Sequence, residues 1–350
     1  YIHRGRHIEV QVLGDSHGNV IHLGERECSV QRRHQKVLEE APSPLVDPEM
    51  RAHMGAQAVG LAKAVGYQSA GTVEFIVSQD KEFFFLEMNT RLQVEHPVTE
   101  EITGFDLVEE MLRVAYGEKL RWSQEDVTID GWAVEARLYA EDPSRNFLPS
   151  IGRLRRYVEP PLVEGVRVDS GVREGDEISM YYDPMIAKLV AHGRDRAEAI
   201  ARLQQALDGF VVDGIGNNLV FLNAALANDT FRSGTFSTAF IEEEFAEGYF
   251  GPERTDAVVE TLVPIIAAAH TIRSLRDACL SGQMPGQSWR PSREWVVRID
   301  RKDYAVDVIP GDNGCTIGWN GASLRVTTDW APGDRVFQGH VDGRPVTAQV

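Results

Sequence analysis

The chain has 350 residues and a formal net charge of −17, from 36 Lys and Arg against 53 Asp and Glu. A charge of that sign excludes a general nucleic-acid or polyanion surface, so an anionic substrate must meet a local cation cluster or a metal. With 43% hydrophobic and 25% charged residues, the chain is expected to fold into two or three domains rather than remain disordered. Cys28, Cys279 and Cys315 are far apart and odd in number, which argues against a disulfide framework or a zinc site. No apolar run approaches the roughly eighteen residues of a membrane span, so no membrane partner is expected. The chain opens on Tyr1 without Met and stops at Val350 inside an apparent strand. It is therefore expected to be an internal piece of a longer polypeptide, whose lack of a targeting signal carries no information.

In chain order, 7–12 reads as a strand with His7, Glu9 and Gln11 on one face and Ile8, Val10 and Val12 on the other. Asp15-Ser-His-Gly-Asn19 is turn chemistry, and 20–23 is the return strand. Residues 25–42 break all periodicity, and Arg32-Arg33-His34-Gln35-Lys36 reads as a solvated charge run unless it lies over an anion site. Asp47-Pro48 starts a helix that ends at Gly66, with Met50, Met54, Ala58, Leu61 and Val65 as its core stripe.

The centre of the chain is a hairpin. Residues 71–77 form one strand, 78–81 the turn, and the second strand runs from Glu82 until Pro97 closes it. Centred between Asp80 and Lys81, this hairpin puts Glu74 directly opposite Glu87. Like charges so placed destabilise a sheet unless something positive lies between them. Glu87, Asn89, Arg91, Gln93 and Glu95 would share one face, while Phe83-Phe84-Phe85-Leu86 demands burial on both. Two carboxylates and the Asn89 amide oxygen are hard ligands of the kind that hold Mg²⁺ or Mn²⁺ beside phosphates.

A further helix is expected over 106–115, with the helices so far covering one side of an antiparallel sheet. From Asp130 a second unit begins with a strand at 132–140, where Arg137 must be exposed or face a carboxylate. Helices follow at 194–207 and 217–226, and Tyr181-Tyr182-Asp183-Pro184 reads as a tight turn with packed aromatics. A third unit opens near Gly251 with a helix over 255–280, marked by Pro264 and by Val259, Leu262, Ile266 and Ile272. Strands at 294–299, 304–309, 316–319, 323–328 and 336–341 make a meander whose turns are Asn320-Gly321 and Asp342-Gly343. It carries no catalytic cluster and reads as a docking domain.

The set His7-Ile-Glu9, Gln31-Arg-Arg-His34-Gln-Lys36, Glu74-Phe and Glu87-Met-Asn89-Thr-Arg91-Leu-Gln93-Val-Glu95-His-Pro97 closely resembles biotin carboxylase, an ATP-grasp enzyme. The likeness continues through Glu135-Ala-Arg137 and Tyr181-Tyr-Asp-Pro-Met-Ile-Ala-Lys188, covering residues 1 to about 245. More loosely, Trp295-Val-Val-Arg-Ile, Leu324-Arg-Val-Thr-Thr and His340-Val-Asp-Gly343 are similar to the linker domain of propionyl-CoA carboxylase alpha subunits. The resemblance implies an α+β fold. Residues 1–125 would be the C-terminal half of an ATP-grasp module, 126–250 the biotin carboxylase C-terminal domain, and 251–350 a helix with a β-barrel-like linker.

It also implies an activity: ATP activates bicarbonate as carboxyphosphate, and biotin is then carboxylated. Glu74, Glu87 and Asn89 match the family's metal ligands. Gln31 and His34 match the nucleotide pocket, with His7 beside it. Lys36, Arg91, Gln93 and the Val94 backbone match the bicarbonate pocket, Glu95 the general base, and Arg137 the cation that stabilises the biotin enolate. ATP, Mg²⁺ or Mn²⁺, and biotin on a separate carrier domain are the implied cofactors. A carboxyltransferase beta subunit docked on 251–350, in a hetero-oligomer, is the implied partner. The phosphate-gripping upstream half of the module and the biotin-bearing Ala-Met-Lys-Met motif are absent, so the chain is expected not to turn over alone. Another ATP-grasp ligase would not be expected to carry the Arg91-x-Gln93-Val-Glu95 continuation. A methylcrotonyl-CoA enzyme ranks second to a propionyl-CoA one. A non-catalytic docking scaffold would have no reason to keep Glu74, Glu87, Asn89, Arg91, Glu95 and Arg137 intact. Bacterial cytoplasm, the preferred compartment, and the mitochondrial matrix both fit.

Overall fold

The computed structural model describes residues 2–350 except 162, 247, 252, 253, 280 and 282–290. The chain forms two compact units, residues 1–251 and 252–350. The first contains β1 (Arg6–Gly14), β2 (Val20–Arg32), β3 (Gln35–Ala41), α1 (Pro48–Ala64), β4 (Ser69–Val77), β5 (Phe83–Asn89), α2 (His96–Thr103) and α3 (Leu107–Ala115). It continues with β6 (Trp132–Tyr139), β7 (Val166–Ser170), β8 (Met185–Gly193), α4 (Arg196–Gly209) and α5 (Leu219–Ala227). Eight strands form one antiparallel sheet in the order β7-β8-β6-β3-β2-β1-β4-β5.

Alternation assigns the two faces. Ile8, Val10 and Val12 of β1 join Val73 and Phe75 of β4 against Met50, Met54, Ala58 and Ala62 of α1. Further along the same face, Val134, Ala136 and Leu138 of β6 pack on Leu203 and Leu207 of α4 and Phe221 and Leu222 of α5. Each such side chain contributes about 1.5–3 kcal/mol relative to exposure, so this face supplies the core. His7, Glu9 and Gln11 point the other way, towards the site. α2 lies over that second face, where Val98 and Ile102 pack on Ala41, Ala133 and Val190. The helices therefore cover both sides of the sheet, not one.

Several local expectations are corrected. β2 runs unbroken to Arg32 and β3 follows at once, so 25–42 is mostly strand. Arg33 and His34 form the turn between them, both at positive φ. Asp47 caps α1 as expected, but Leu61 and Val65 are exposed and Ala62 takes the buried position. β5 ends at Asn89, so Arg91, Gln93 and Glu95 lie on a connecting turn, and Pro97 sits in the first turn of α2. Phe84, Phe85 and Leu86 are about half exposed because β5 is the sheet edge. Tyr181 and Tyr182 are exposed, not packed.

The second unit is α6 (Asp256–Ala278) and six antiparallel strands that pair in chain order. These are β9 (Glu294–Ile299), β10 (Lys302–Gly311), β11 (Gly314–Trp319), β12 (Ala322–Thr328), β13 (Val336–Val341) and β14 (Arg344–Gln349). Val263, Ile265, Ala267 and Ala268 pack on Val306, Val308, Ile317 and Phe337, so the buried stripe omits the expected Ile266. The helix runs on through Pro264, and its expected last residue, Leu280, lies outside the described residues. Asn320, Gly321, Asp342 and Gly343 all have positive φ, the conformation a two-residue hairpin turn needs. α6 is long and apolar enough by composition to cross a membrane, contrary to the expectation from sequence. Its apolar stripe is nonetheless the core against which the meander packs.

Candidate functional site

The hairpin of β4 and β5 sets Glu74 directly across from Glu87. The pairing reaches that register through an irregularity between Glu74 and Phe75, beyond which Phe75 faces Phe85. On its other side β4 pairs with β1, and Glu74 is there the direct neighbour of Glu9. Three carboxylates thus cross three adjacent strands on the polar face. What surrounds them decides whether the arrangement holds.

Arg26 on β2 answers most of that charge. Its Nε donates to Glu9 Oε1 at 2.6 Å, and Nη1 donates to Gln11 Oε1 at 2.7 Å and Thr99 Oγ1 at 3.0 Å. Its Nη2 donates to Thr72 Oγ1 at 3.2 Å and Gln93 Oε1 at 2.8 Å. Every guanidinium nitrogen is engaged and the side chain has no exposure. Lys36 Nζ donates to Glu9 Oε2 at 2.6 Å, pairs with Glu95 Oε1, and lies 3.6 Å from Glu74 Oε1. Burial would raise the Glu9 carboxyl, but Lys36 and Arg26 outweigh it and hold it at about 2. Burial works the same way on Glu74, and the His7 hydrogen bond and Lys36 bring it down to about 2. Burial would discharge Lys36, yet the carboxylates around it raise its pKa instead.

Glu74 has three further hydrogen-bond partners. Asn89 Nδ2 and Gln93 Nε2 donate to its Oε1 at 2.8 and 2.7 Å, and His7 Nε2 bonds Oε2 at 2.7 Å. Gln31 Nε2 sits 2.7 Å from His7 Nδ1, fixing the ring from behind. Glu95 precedes α2 and bridges two cations, Lys36 on one oxygen and Arg137 Nη2 at 2.8 Å on the other. Arg137 is held in turn by Glu39, whose Oε1 accepts from its Nε at 2.5 Å. The strand Arg therefore faces carboxylates. Val94 O accepts from Lys188 Nζ at 2.7 Å.

One cleft of about 420 Å³ is lined by His7, Gln31, His34, Lys36, Glu74, Glu87, Asn89, Arg91, Gln93, Val94, Glu95 and Arg137. All twelve residues singled out in the sequence meet there. Arg91 is exposed, and among the described residues its Nη1 reaches only the Leu92 carbonyl at 3.2 Å, which leaves it available to a small anion. A larger concavity of about 730 Å³ in the second unit has one acidic side chain, Asp334, among its described lining residues. It offers no comparable set of ligands.

The donor chemistry suits a hard divalent cation. Glu87 has no ion pair among the described residues, and it is the cross-strand partner of Glu74, whose carboxylate the Asn89 amide also touches. Glu9 is less suited, because both its oxygens are already taken by cations. Cys28 lies near Glu9, but burial, reinforced by Glu9, keeps it a thiol. Arg26, Glu39 and Lys188 were missed as site residues. Arg26 lies in register with Glu9, but residues 25–32 carry no alternation that could have announced it.

Three family models match the chain: the carbamoyl-phosphate synthase L chain ATP-binding domain over 1–123, the biotin carboxylase C-terminal domain over 135–243, and the propionyl-coenzyme A carboxylase BT domain over 262–350. The chain belongs to the biotin carboxylase family. It is 53% identical to the propionyl-CoA carboxylase alpha chain of Ruegeria pomeroyi over its whole length, covering 54% of that protein. Against the mitochondrial alpha chain of Mus musculus it is 49% identical, again over its whole length, and covers 49%. It thus spans about half the length of these curated relatives. The biotin carboxylase domain of Hydrogenobacter thermophilus 2-oxoglutarate carboxylase, solved with MgADP, ADP and bicarbonate, superposes with a TM-score of 0.69. That match has 48% identity over 70% of this chain and 54% of the other.

Proposed function

We propose that this chain forms the metal, bicarbonate and base site of an ATP-dependent biotin carboxylase, within the alpha subunit of an acyl-CoA carboxylase of the propionyl-CoA type. The observation that carries the reading is the Lys36–Glu95–Arg137 bridge, a carboxylate held between two cations at the floor of the cleft. Bicarbonate is a small anion with one proton to lose. Lys36, Arg91, Gln93 and the Val94 backbone would bind and orient it, and Glu95 would accept its proton. Arg137, beside Glu95, would stabilise negative charge that develops on the biotin ureido group. Glu74, Glu87 and Asn89 would hold Mg²⁺ or Mn²⁺, and His7, Gln31 and His34 would line the nucleotide side. When bound, ATP would supply the phosphoryl group that activates bicarbonate, and the metal would offset the charge on it.

The match of 262–350 to the propionyl-coenzyme A carboxylase BT domain supports the acyl-CoA type over a pyruvate enzyme. On this reading the second unit docks a carboxyltransferase beta subunit, and a biotin carrier domain visits the cleft in a hetero-oligomer. The compartment would be bacterial cytoplasm, or the mitochondrial matrix for a eukaryotic source. The test is bicarbonate-dependent ATP hydrolysis by a polypeptide of the relatives' full length, with and without free biotin, for native protein and Glu95→Gln. Biotin-stimulated hydrolysis lost in the variant is the expected result. Hydrolysis indifferent to biotin and to Glu95 would assign the site to another ATP-grasp ligase.

A further inference from the structure

Two buried carboxyl groups in the central sheet have no part in the chemistry proposed for the cleft. Glu39 on β3 and Glu135 on β6 are direct cross-strand partners, and both are fully buried. Residues so paired have Cβ atoms about 4.5–5.5 Å apart, so the two carboxyl groups share one small volume. Glu39 Oε1 is taken by Arg137, but Glu39 Oε2 and both Glu135 oxygens have no hydrogen-bond partner among the described residues.

The surroundings supply no cation for a second charge. Arg137 is spent on Glu39 and Glu95, and Lys36 on Glu9 and Glu95. Lys188, the cross-strand partner of Arg137 on β8, is spent on Val94 O and on Asp169 of β7. Arg167 of β7 pairs with Glu100 of α2 and with Asp169. From α2, His96 hydrogen-bonds Gln93 O and lies 3.8 Å from Glu100. Tyr139 is the remaining titratable group on this face of β6, the buried Cys28 of β2 is a thiol near Glu39, and Ala41, Val98, Ile102, Ala133 and Val190 form an apolar cluster on the same face. Two facing carboxylates, buried and short of a counter-charge, resolve the conflict by keeping a proton.

We propose that Glu39 and Glu135 hold one proton between them, and that this monoanionic pair is a positioning device that keeps Arg137 anchored on Glu39 and turned towards Glu95. What Arg137 and Glu95 do there rests on the functional reading given under Proposed function. Burial raises the Glu39 carboxyl to about 7 against the pull of Arg137, and burial together with Glu39 lifts Glu135 well above the carboxylate range. Ionising Glu135 would give Arg137 a third buried anion, this one on its own strand, and draw the guanidinium off Glu95.

The proton is read by infrared spectroscopy of the full-length protein, through the carbonyl stretch of a protonated carboxylic acid. The wild type is expected to show this band at neutral pH and to lose it as the pH rises. The E135Q variant is expected to lose it at a lower pH than the wild type, because only Glu39 is then left to hold a proton. The positioning is read from the pH profile of biotin-stimulated ATP hydrolysis. E135Q, which cannot ionise, should move the alkaline limb upward by roughly a pH unit or more with the KM for ATP unchanged. Glu39→Gln should lower kcat about tenfold or more, again without moving that KM. If E135Q fails to fold, the deuterium shift of the band in unsubstituted protein still reads the proton. Absence of any protonated carboxyl band, or alkaline limbs that superimpose, would overturn the proposal. A band without biotin-stimulated turnover would instead remove the functional reading and leave the proton assignment standing.

Discussion

Arg26 and Glu9 form an ion pair of 2.6 Å in which neither side chain has any exposure to solvent. Replacing Arg26 by Met would leave Glu9 with a bare buried oxygen and strip a donor from Gln11, Thr72, Thr99 and Gln93. Breaking one side of such a pair costs about 3–5 kcal/mol, enough to consume much of the stability of a domain. A denaturant midpoint for Arg26→Met within error of native would refute this.

Arg137 reaches Glu39 through both Nε and Nη2 and Glu95 through Nη2, a planar set of donors that a single ammonium does not reproduce. Arg137→Lys is therefore expected to lower the biotin-dependent rate about 100- to 1,000-fold while leaving the KM for ATP in place. Steady-state kinetics separate this from a general loss of the site, in which both parameters would move.

Stability should depend on acid in a definite direction. The Glu9 and Glu74 carboxyls fall from an ordinary 4.5 to about 2 in the folded chain. Their contribution is present above 4.5 and is lost as the pH falls towards 2, because the unfolded chain takes up protons first. Glu39 has the opposite sign: raised to about 7, it favours the folded state most below 4.5 and loses that effect as the pH rises through 7. Calorimetry should find Tm dropping steeply below pH 4.5, with a shallower loss between 4.5 and 7. A flat acid limb would contradict the ion-pair network.

Glu87 offers a cleaner separation of function from stability. It is exposed and directly opposite Glu74, so Glu87→Gln relieves a like-charge pair and should stabilise the unliganded chain by about 0.2–1 kcal/mol. If the carboxylate holds the metal, the same change weakens Mn²⁺ binding about 10- to 100-fold, measurable by paramagnetic resonance titration with nucleotide present. Unchanged Mn²⁺ affinity would remove Glu87 from the metal set.

In the second unit Phe337 is fully buried between the meander and α6. Truncation to Ala should cost about 3–5 kcal/mol. Circular dichroism of a separately expressed 252–350 segment would register it as a lowered midpoint.

The sequence made some elements plain and hid others for physical reasons. The hairpin was legible because polar turn residues separate two strands of β-type residues, but its turn sets Val77 opposite Phe83, one residue off the expected register, and Glu74 meets Glu87 only through the irregularity at Phe75. β2 was hidden because Glu25, Arg26 and Glu27 are buried through pairing with Arg51, Glu9 and Arg6 on other elements, and Ser29 through Glu27, and a strand of paired charges has the composition of a loop. α2 was hidden because Pro97 reads as a terminator, although in a first turn its missing N–H costs nothing. The Phe83–Leu86 run was misjudged because apolar composition does not say which strand lies at an edge. Within the site, residues that touch the cleft were legible from their resemblance to a known pattern. Arg26 and Glu39, which act through other residues, lie in a stretch without periodicity and had no pattern to announce them.

The hydrogen bonds that define the cleft join residues distant along the chain: Lys36 to Glu9 across 27 residues, Lys36 to Glu95 across 59, and Arg137 to Glu39 across 98. No single hairpin or helix holds enough of them to form the cleft on its own, and loops of that length must close before any contact repays the entropy lost. The cleft should therefore be among the last parts of this unit to appear during refolding. Metal or nucleotide binding would then report completion of the whole eight-stranded sheet.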